Sequence, residues 1–139
     1  MPTTVLITGA SSGFGEATAQ LFAGRGWNVA ATMRRPDAGA ALARLDNVLV
    51  TRLDVEDQPG IEAAVAETID RFGRIDAVVN NAGFGLMGIF EATPWAKIRE
   101  QFEVNLFGAM AVIRAVLPRA NRSGVIVNVS SGPAGSRCL

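Results

Sequence analysis

The chain has 139 residues, 49% of them hydrophobic and 19% charged, which describes one folded, water-soluble domain able to bury a core. Lysine plus arginine and aspartate plus glutamate both number 13, so the charge balance excludes the basic footprint of a nucleic-acid or anionic-membrane binder. Histidine is absent and Cys138 is the lone cysteine. That rules out an internal disulfide, argues against a zinc or triad-type site, and fits a reducing cytoplasm. No basic segment precedes the first apolar run, which is far too short to span a bilayer, so neither a signal peptide nor a membrane anchor is expected.

In chain order, the apolar run Thr3–Thr8 predicts a strand covered on both faces. A helix follows over Gly15–Arg25, flanked at its end by Gly24 and Gly26, with Trp27 packing at the start of the next element. Asn28–Met33 predicts a second strand, Ala38–Leu45 a short helix, and Val48–Leu53 a third strand. Asp57 or a neighbour caps a helix that runs to Phe72, where Ile61, Val65, Ile69 and Phe72 recur at helical spacing. Ala77–Asn80 is a fourth strand leading into the loop Asn81–Ala92. Thr93-Pro94 starts a long helix, a capping hydroxyl followed by proline at the first position, which carries Ile98, Phe102, Leu106, Val112, Ile113 and Val116 to about Ala120. Val125–Val129 is the fifth strand.

Strands alternating with helices imply right-handed βαβ units and a parallel sheet. The natural architecture is an α/β, doubly wound parallel sheet, a Rossmann fold with five strands in the order 3-2-1-4-5. A ligand would sit at the carboxyl ends of the strands, near the switch between the first and fourth. The first strand runs directly into Thr8-Gly9-Ala10-Ser11-Ser12-Gly13-Phe14-Gly15 and then a helix, the context in which a glycine loop binds a dinucleotide. Gly9 lets the chain turn off the strand, Gly13 lets the backbone approach a pyrophosphate, and Gly15 lets the helix pack closely. The helix N-terminus then offers unpaired N–H groups and a positive dipole end to the phosphates.

The spacing is G-x-x-x-G-x-G. Together with Asn80-Asn81-Ala82-Gly83 and Asn128-Val129-Ser130-Ser131, it closely resembles the short-chain dehydrogenase/reductase family, from Thr3 to about Gly135. The resemblance implies NAD(P)-dependent hydride transfer between an alcohol or carbonyl substrate and nicotinamide. In the family a Tyr-x-x-x-Lys pair follows the serine motif. This sequence has no tyrosine, and its lone lysine, Lys97, does not match the pattern and reads as a surface charge. The chain therefore reads as the amino-terminal, cofactor-binding part of such an enzyme, incomplete on the C-terminal side. The alternative readings are a non-catalytic dinucleotide-binding module or an inactive fragment.

The tip of the second strand, Ala31-Thr32-Met33-Arg34-Arg35, carries no acid before Asp37. A carboxylate there would hold a ribose 2′-OH and repel a 2′-phosphate, whereas an arginine fork matches phosphate. One such bond is worth ~1.5–3 kcal/mol, roughly ten- to hundred-fold, which favours NADP over NAD with Arg34 the better candidate and Arg35 beside it. The alternative is that both are solvated loop charges.

The resemblance assigns Asp54, with Val55 beside it, to the adenine. A helix-capping role for Asp54 is the alternative. It assigns Asn81, Ala82 and Gly83 to the cofactor cleft and Thr8, Gly9, Ser11, Ser12, Gly13, Phe14 and Gly15 to cofactor binding. It makes Asn105 the active-site asparagine, holding a water through its backbone or side chain, against the alternative of a solvent-facing polar position. An Asn buried in the apolar run Val104–Phe107 would need hydrogen-bond partners. Ser131 is implied as the hydroxyl that polarises the substrate carbonyl, with Ser130 as competitor. The apolar stretch Gly83–Phe90 hints at a hydrophobic alcohol or ketone. Val125–Val129 lacks any edge-protecting charge or proline, so an isolated chain is expected to aggregate or to pair with a second copy through it.

Overall fold

The computed structural model describes residues 2–120 and 122–130. Its strands are β1 (Thr4–Ile7), β2 (Asn28–Met33), β3 (Val48–Arg52), β4 (Ala77–Asn80) and β5 (Val125–Asn128), and its principal helices are α1 (Gly13–Gly24), α2 (Gln58–Phe72), α3 (Trp95–Phe102) and α4 (Ala109–Val116). The strands form one parallel sheet in the order β3-β2-β1-β4-β5, a Rossmann-type arrangement. Leu6, in the middle of β1, stands between Ala30 of β2 and Val78 of β4.

The period of two along the central strands builds the two apolar layers. Val5, Ile7, Val29, Ala31, Met33 and Val79 point to one side and meet Ala19 and Ala23 of α1. Leu6, Ala30 and Val78 point to the other and meet Ile61 and Val65 of α2 with Val112 and Val116 of α4. Trp27 packs on the first layer, its ring centroid 4.7 Å from that of Phe22, as its position before β2 led one to expect. The amino-terminal ends of β1 and β4 are tied by Asp76, whose carboxylate accepts from the Thr4 N–H at 2.9 Å and from the Arg74 guanidinium. That hydrogen bond holds Arg74 above the ordinary arginine pKa.

Most expected elements are present with ends shifted by one or two residues, and four local expectations are corrected. Ala38–Leu45 is not a helix but part of two short 3₁₀ turns, Pro36–Gly39 and Leu42–Arg44. Gly39 and Leu42 are pressed into the core, Gly39 against Met33 and Val50, and the chain turns twice to place them there. Asp57 is the residue before α2, but its side chain makes no capping bond; it accepts from Arg52 Nη1 at 3.1 Å. Thr93 does not cap α3: its hydroxyl donates back to the Ile89 carbonyl at 2.9 Å, and Pro94 occupies the cap position. The long helix after it is interrupted, because a π-helical turn, Glu103–Gly108, separates α3 from α4.

Candidate functional site

The carboxyl ends of β1 and β4 are joined through side chains. Thr8 is buried at the end of β1, and its hydroxyl oxygen accepts from the backbone N–H groups of Asn81 at 3.1 Å and Ala82 at 3.0 Å. In return the Asn81 amide donates to the carbonyls of Thr8 at 3.2 Å and Gly9 at 3.1 Å. Two loops that leave neighbouring strands are thereby fixed relative to each other before any ligand arrives. The Asn80 side-chain amide donates across to Asn128 of β5 at 2.9 Å, while its buried side-chain oxygen has no partner among the described residues.

The glycine loop turns at Gly9, where φ is +66°, and again at Gly13, where φ is +56°. Both angles lie in the left-handed region that glycine adopts without strain. Gly15 serves close approach instead: a Cβ there would stand 2.1 Å from the Gly9 carbonyl oxygen and 2.5 Å from Asn81 Nδ2. At Gly13 a Cβ would meet nothing within 4 Å, so the backbone presents an open face. Helix α1 begins at that residue. Ser12 precedes it in extended conformation, and its side chain makes no capping bond. First-turn N–H groups with no side-chain cap, opening onto a bare glycine face, have the chemistry of an anion cradle. Phe14 is 83% exposed beside it.

Beyond β2, Arg34 and Arg35 are exposed and make no ion pair with described residues. No carboxylate lies within the β2 tip to oppose them. Asp54, just past β3, is half-buried; its Oδ1 accepts from the Glu56 N–H at 3.0 Å, closing a turn rather than capping a helix. Val55 is half-buried against the α2–α4 layer.

Asn105 lies within the π turn, and its side chain makes a two-way bond with the backbone of Phe84. Its Oδ1 accepts from the Phe84 N–H at 3.0 Å, and its Nδ2 donates to the Phe84 carbonyl at 2.7 Å. The need for partners was readable from the sequence, although Asn105 proves exposed rather than buried. The π turn itself was not readable: the extra residue shifts Asn105 out of helical phase, and helical spacing carries no mark of it. Gly83 makes the approach possible, since a Cβ on it would lie 2.8 Å from Asn105 Oδ1. Ser130 is exposed beyond β5, and Ser131 lies outside the described residues. Lys97 sits on the surface of α3, paired with Glu100 at 2.9 Å. Among the described residues no group of three His, Cys, Asp or Glu side chains could hold a metal, and no helix is long and apolar enough to cross a membrane.

Residues 3–137 match the short chain dehydrogenase family. The chain belongs to that family. A curated relative, 3-ketodihydrosphingosine reductase of Bacteroides thetaiotaomicron, is 39% identical over 132 residues, which cover 94% of this chain and 47% of the relative. Among solved structures, 3-ketoacyl-(acyl-carrier-protein) reductase from Brucella melitensis, complexed with NADH, aligns with a TM-score of 0.88 at 31% identity, covering 96% of this chain and 59% of that one. An alcohol dehydrogenase from the archaeon Thermococcus sibiricus, complexed with 5-hydroxy-NADP, aligns with a TM-score of 0.85 at 31% identity, covering 92% and 57%. The chain thus spans about half the length of the curated relatives it matches.

Proposed function

We propose that this chain binds NADP(H) and forms the cofactor half of an oxidoreductase that exchanges hydride between NADP(H) and an alcohol or carbonyl compound in the cytoplasm. The observation that carries the reading is the open glycine face at the start of α1, which follows β1, beside two exposed arginines at the tip of the neighbouring β2 that make no ion pair among the described residues. The N–H groups of the first turn of α1 would hold the pyrophosphate, with Ser11, Ser12, Gly13, Phe14 and Gly15 around it. Arg34, supported by Arg35, would take the 2′-phosphate as a charge-assisted fork. Asp54 keeps one carboxylate oxygen beyond its own turn to accept from the adenine amino group, with Val55 against the ring. Thr8, Gly9, Asn81, Ala82 and Gly83 keep the two loops of the cleft at fixed separation.

When bound, the nicotinamide supplies the hydride or accepts it. On the substrate side Ser131 would orient the carbonyl. The Asn105 side chain spends one N–H and one oxygen lone pair on Phe84 and keeps the others, so a water at the π turn could rest on the amide as well as on backbone. None of the 139 residues is a tyrosine, and Lys97 is paired on the surface, which favours a second reading for the chain by itself: dinucleotide binding without turnover. A tyrosine's ordinary pKa of about 10, lowered by a neighbouring cation, suits it to this proton transfer, and no carboxylate here replaces it.

Fluorescence titration of NADPH and NADH tests the reading. NADPH should bind at least about fivefold tighter, and Arg34→Ala should remove the difference. Equal affinities in the unaltered protein would refute the arginine assignment. Steady oxidation of NADPH upon addition of aldehydes or ketones would refute the reading of binding without turnover.

A further inference from the structure

The π turn faces two parts of the cleft at once. Asn105 grips the backbone of Phe84 after β4, and three residues later Gly108 abuts Val55 after β3. Gly108 is buried, and a Cβ on it would lie 2.7 Å from both Cβ and Cγ2 of Val55 and 3.3 Å from the Glu103 carbonyl. No methyl group fits at those distances, so either Val55 or the helix would have to move. Val55 is the more movable partner, because it is half-buried in a connection while Gly108 is fixed in a helix packed through Val112 and Val116.

We propose that Gly108 is a positioning residue that sets where Val55 stands and so fixes the width of the adenine slot. The proposal rests on the dinucleotide reading above. With the pyrophosphate at the end of β1 and the 2′-phosphate at the tip of β2, the adenosine half must extend toward β3 and away from β4, because β3 lies outside β2 in the sheet. Val55 is the first apolar side chain beyond the end of β3 after Leu53, which is buried. A residue larger than glycine at position 108 drives Val55 outward into the space the adenine ring needs. The nicotinamide would lie toward β4 and the Asn105–Phe84 pair, whose bonds involve neither Val55 nor Gly108.

The test compares the two halves of the cofactor in calorimetric titrations of the unaltered protein, Gly108→Ala, Val55→Gly and the double variant. Probes are 2′,5′-ADP, reduced nicotinamide mononucleotide and NADPH. Gly108→Ala should weaken 2′,5′-ADP and NADPH by about tenfold, in line with the usual cost of overpacking, and leave the mononucleotide within about twofold. In the Val55→Gly background the alanine has nothing to push, so the double variant should match Val55→Gly alone, a non-additivity that general damage to the helix would not produce. If Gly108→Ala fails to fold, recovery of fold and of 2′,5′-ADP binding in the double variant supports the proposal. A double variant that is still unfolded overturns it, pointing to the Glu103 carbonyl as the constraint. Unchanged 2′,5′-ADP affinity in Gly108→Ala overturns it while leaving the cofactor reading intact. Failure of the unaltered protein to bind 2′,5′-ADP, the mononucleotide or NADPH overturns the cofactor reading and this proposal together.

Discussion

Strands β1 and β5 are built from nearly the same chemistry, Thr-Val-Leu-Ile in one and Val-Ile-Val-Asn in the other, and both run parallel in one sheet. All four residues of β1 are buried, and all four of β5 are exposed. Composition does not separate them; neighbours do. β1 has a strand on each side, α1 over one face, and α2 and α4 over the other. β5 has β4 on one side, no described strand on the other, and no residue in either apolar layer. The helices show the same gradient. α1, α2 and α4 bury a stripe each, whereas α3 buries nothing, and Trp95, Phe102, Leu106, Phe107, Met110 and Leu117 stand at the surface. β-propensity is in practice packing against neighbours, so equal propensity here yields unequal contribution. The glycine loop is built in the tightly packed half, while Ser130 and the π turn belong to the exposed flank.

The sharpest way to break this contrast is at Gly15, where the packed half is tightest. Gly15→Val would drive a branched side chain into the Gly9 carbonyl and the Asn81 amide together. The expected loss is about 3 kcal/mol or more in urea unfolding, with dinucleotide binding abolished. A loss under about 1 kcal/mol would mean that the loop yields and that the two strand ends are not rigidly joined. Next in size is a matched pair of deletions. Ile7→Ala, at a residue with no exposure, should cost about 2–5 kcal/mol. Ile126→Ala, at a side chain 43% exposed, should cost about 1 kcal/mol or less and leave NADPH affinity within about twofold. A cost of about 3 kcal/mol at Ile126 would show that the β5 flank is covered in solution.

The strands, α2 and the glycine loop were legible in the sequence because each rests on local pattern: apolar runs in the strands, period 3.6 in α2, and a glycine turn between strand and helix; the sheet order followed from the doubly wound architecture that alternating strands and helices imply. What stayed hidden depends on contacts between distant segments. Nothing near Asn105 shows that its amide will pair with the backbone of Phe84, or that this pairing accompanies a π turn in a run of good helical spacing. Thr93-Pro94 has the composition of a helix start, yet the hydroxyl finds the Ile89 carbonyl first, since a hydroxyl serves a preceding turn as readily as a following helix. Nothing local marks Gly108, because its reason, Val55, lies far away along the chain.

The smallest expected effect tests the exposed flank by itself. Lys97 donates to Glu100 at 2.9 Å across an i, i+3 spacing, with their side chains 60% and 45% exposed. Exposed pairs of this kind contribute about 0.2–0.5 kcal/mol and are screened by salt. Two features reduce even that: the cation sits in the first turn of α3, near the positive end of the helix dipole, and the lysine precedes the glutamate, the weaker orientation. Lys97→Ala should therefore shift unfolding stability by less than about 0.5 kcal/mol in either direction. The difference should vanish in 1 M salt, and NADPH affinity should not change. If the substitution instead cost more than about 1 kcal/mol, or lowered cofactor affinity several-fold, Lys97 would have to reach the cleft from α3. The boundary between a packed half and a loosely covered flank would then lie elsewhere than the strands indicate.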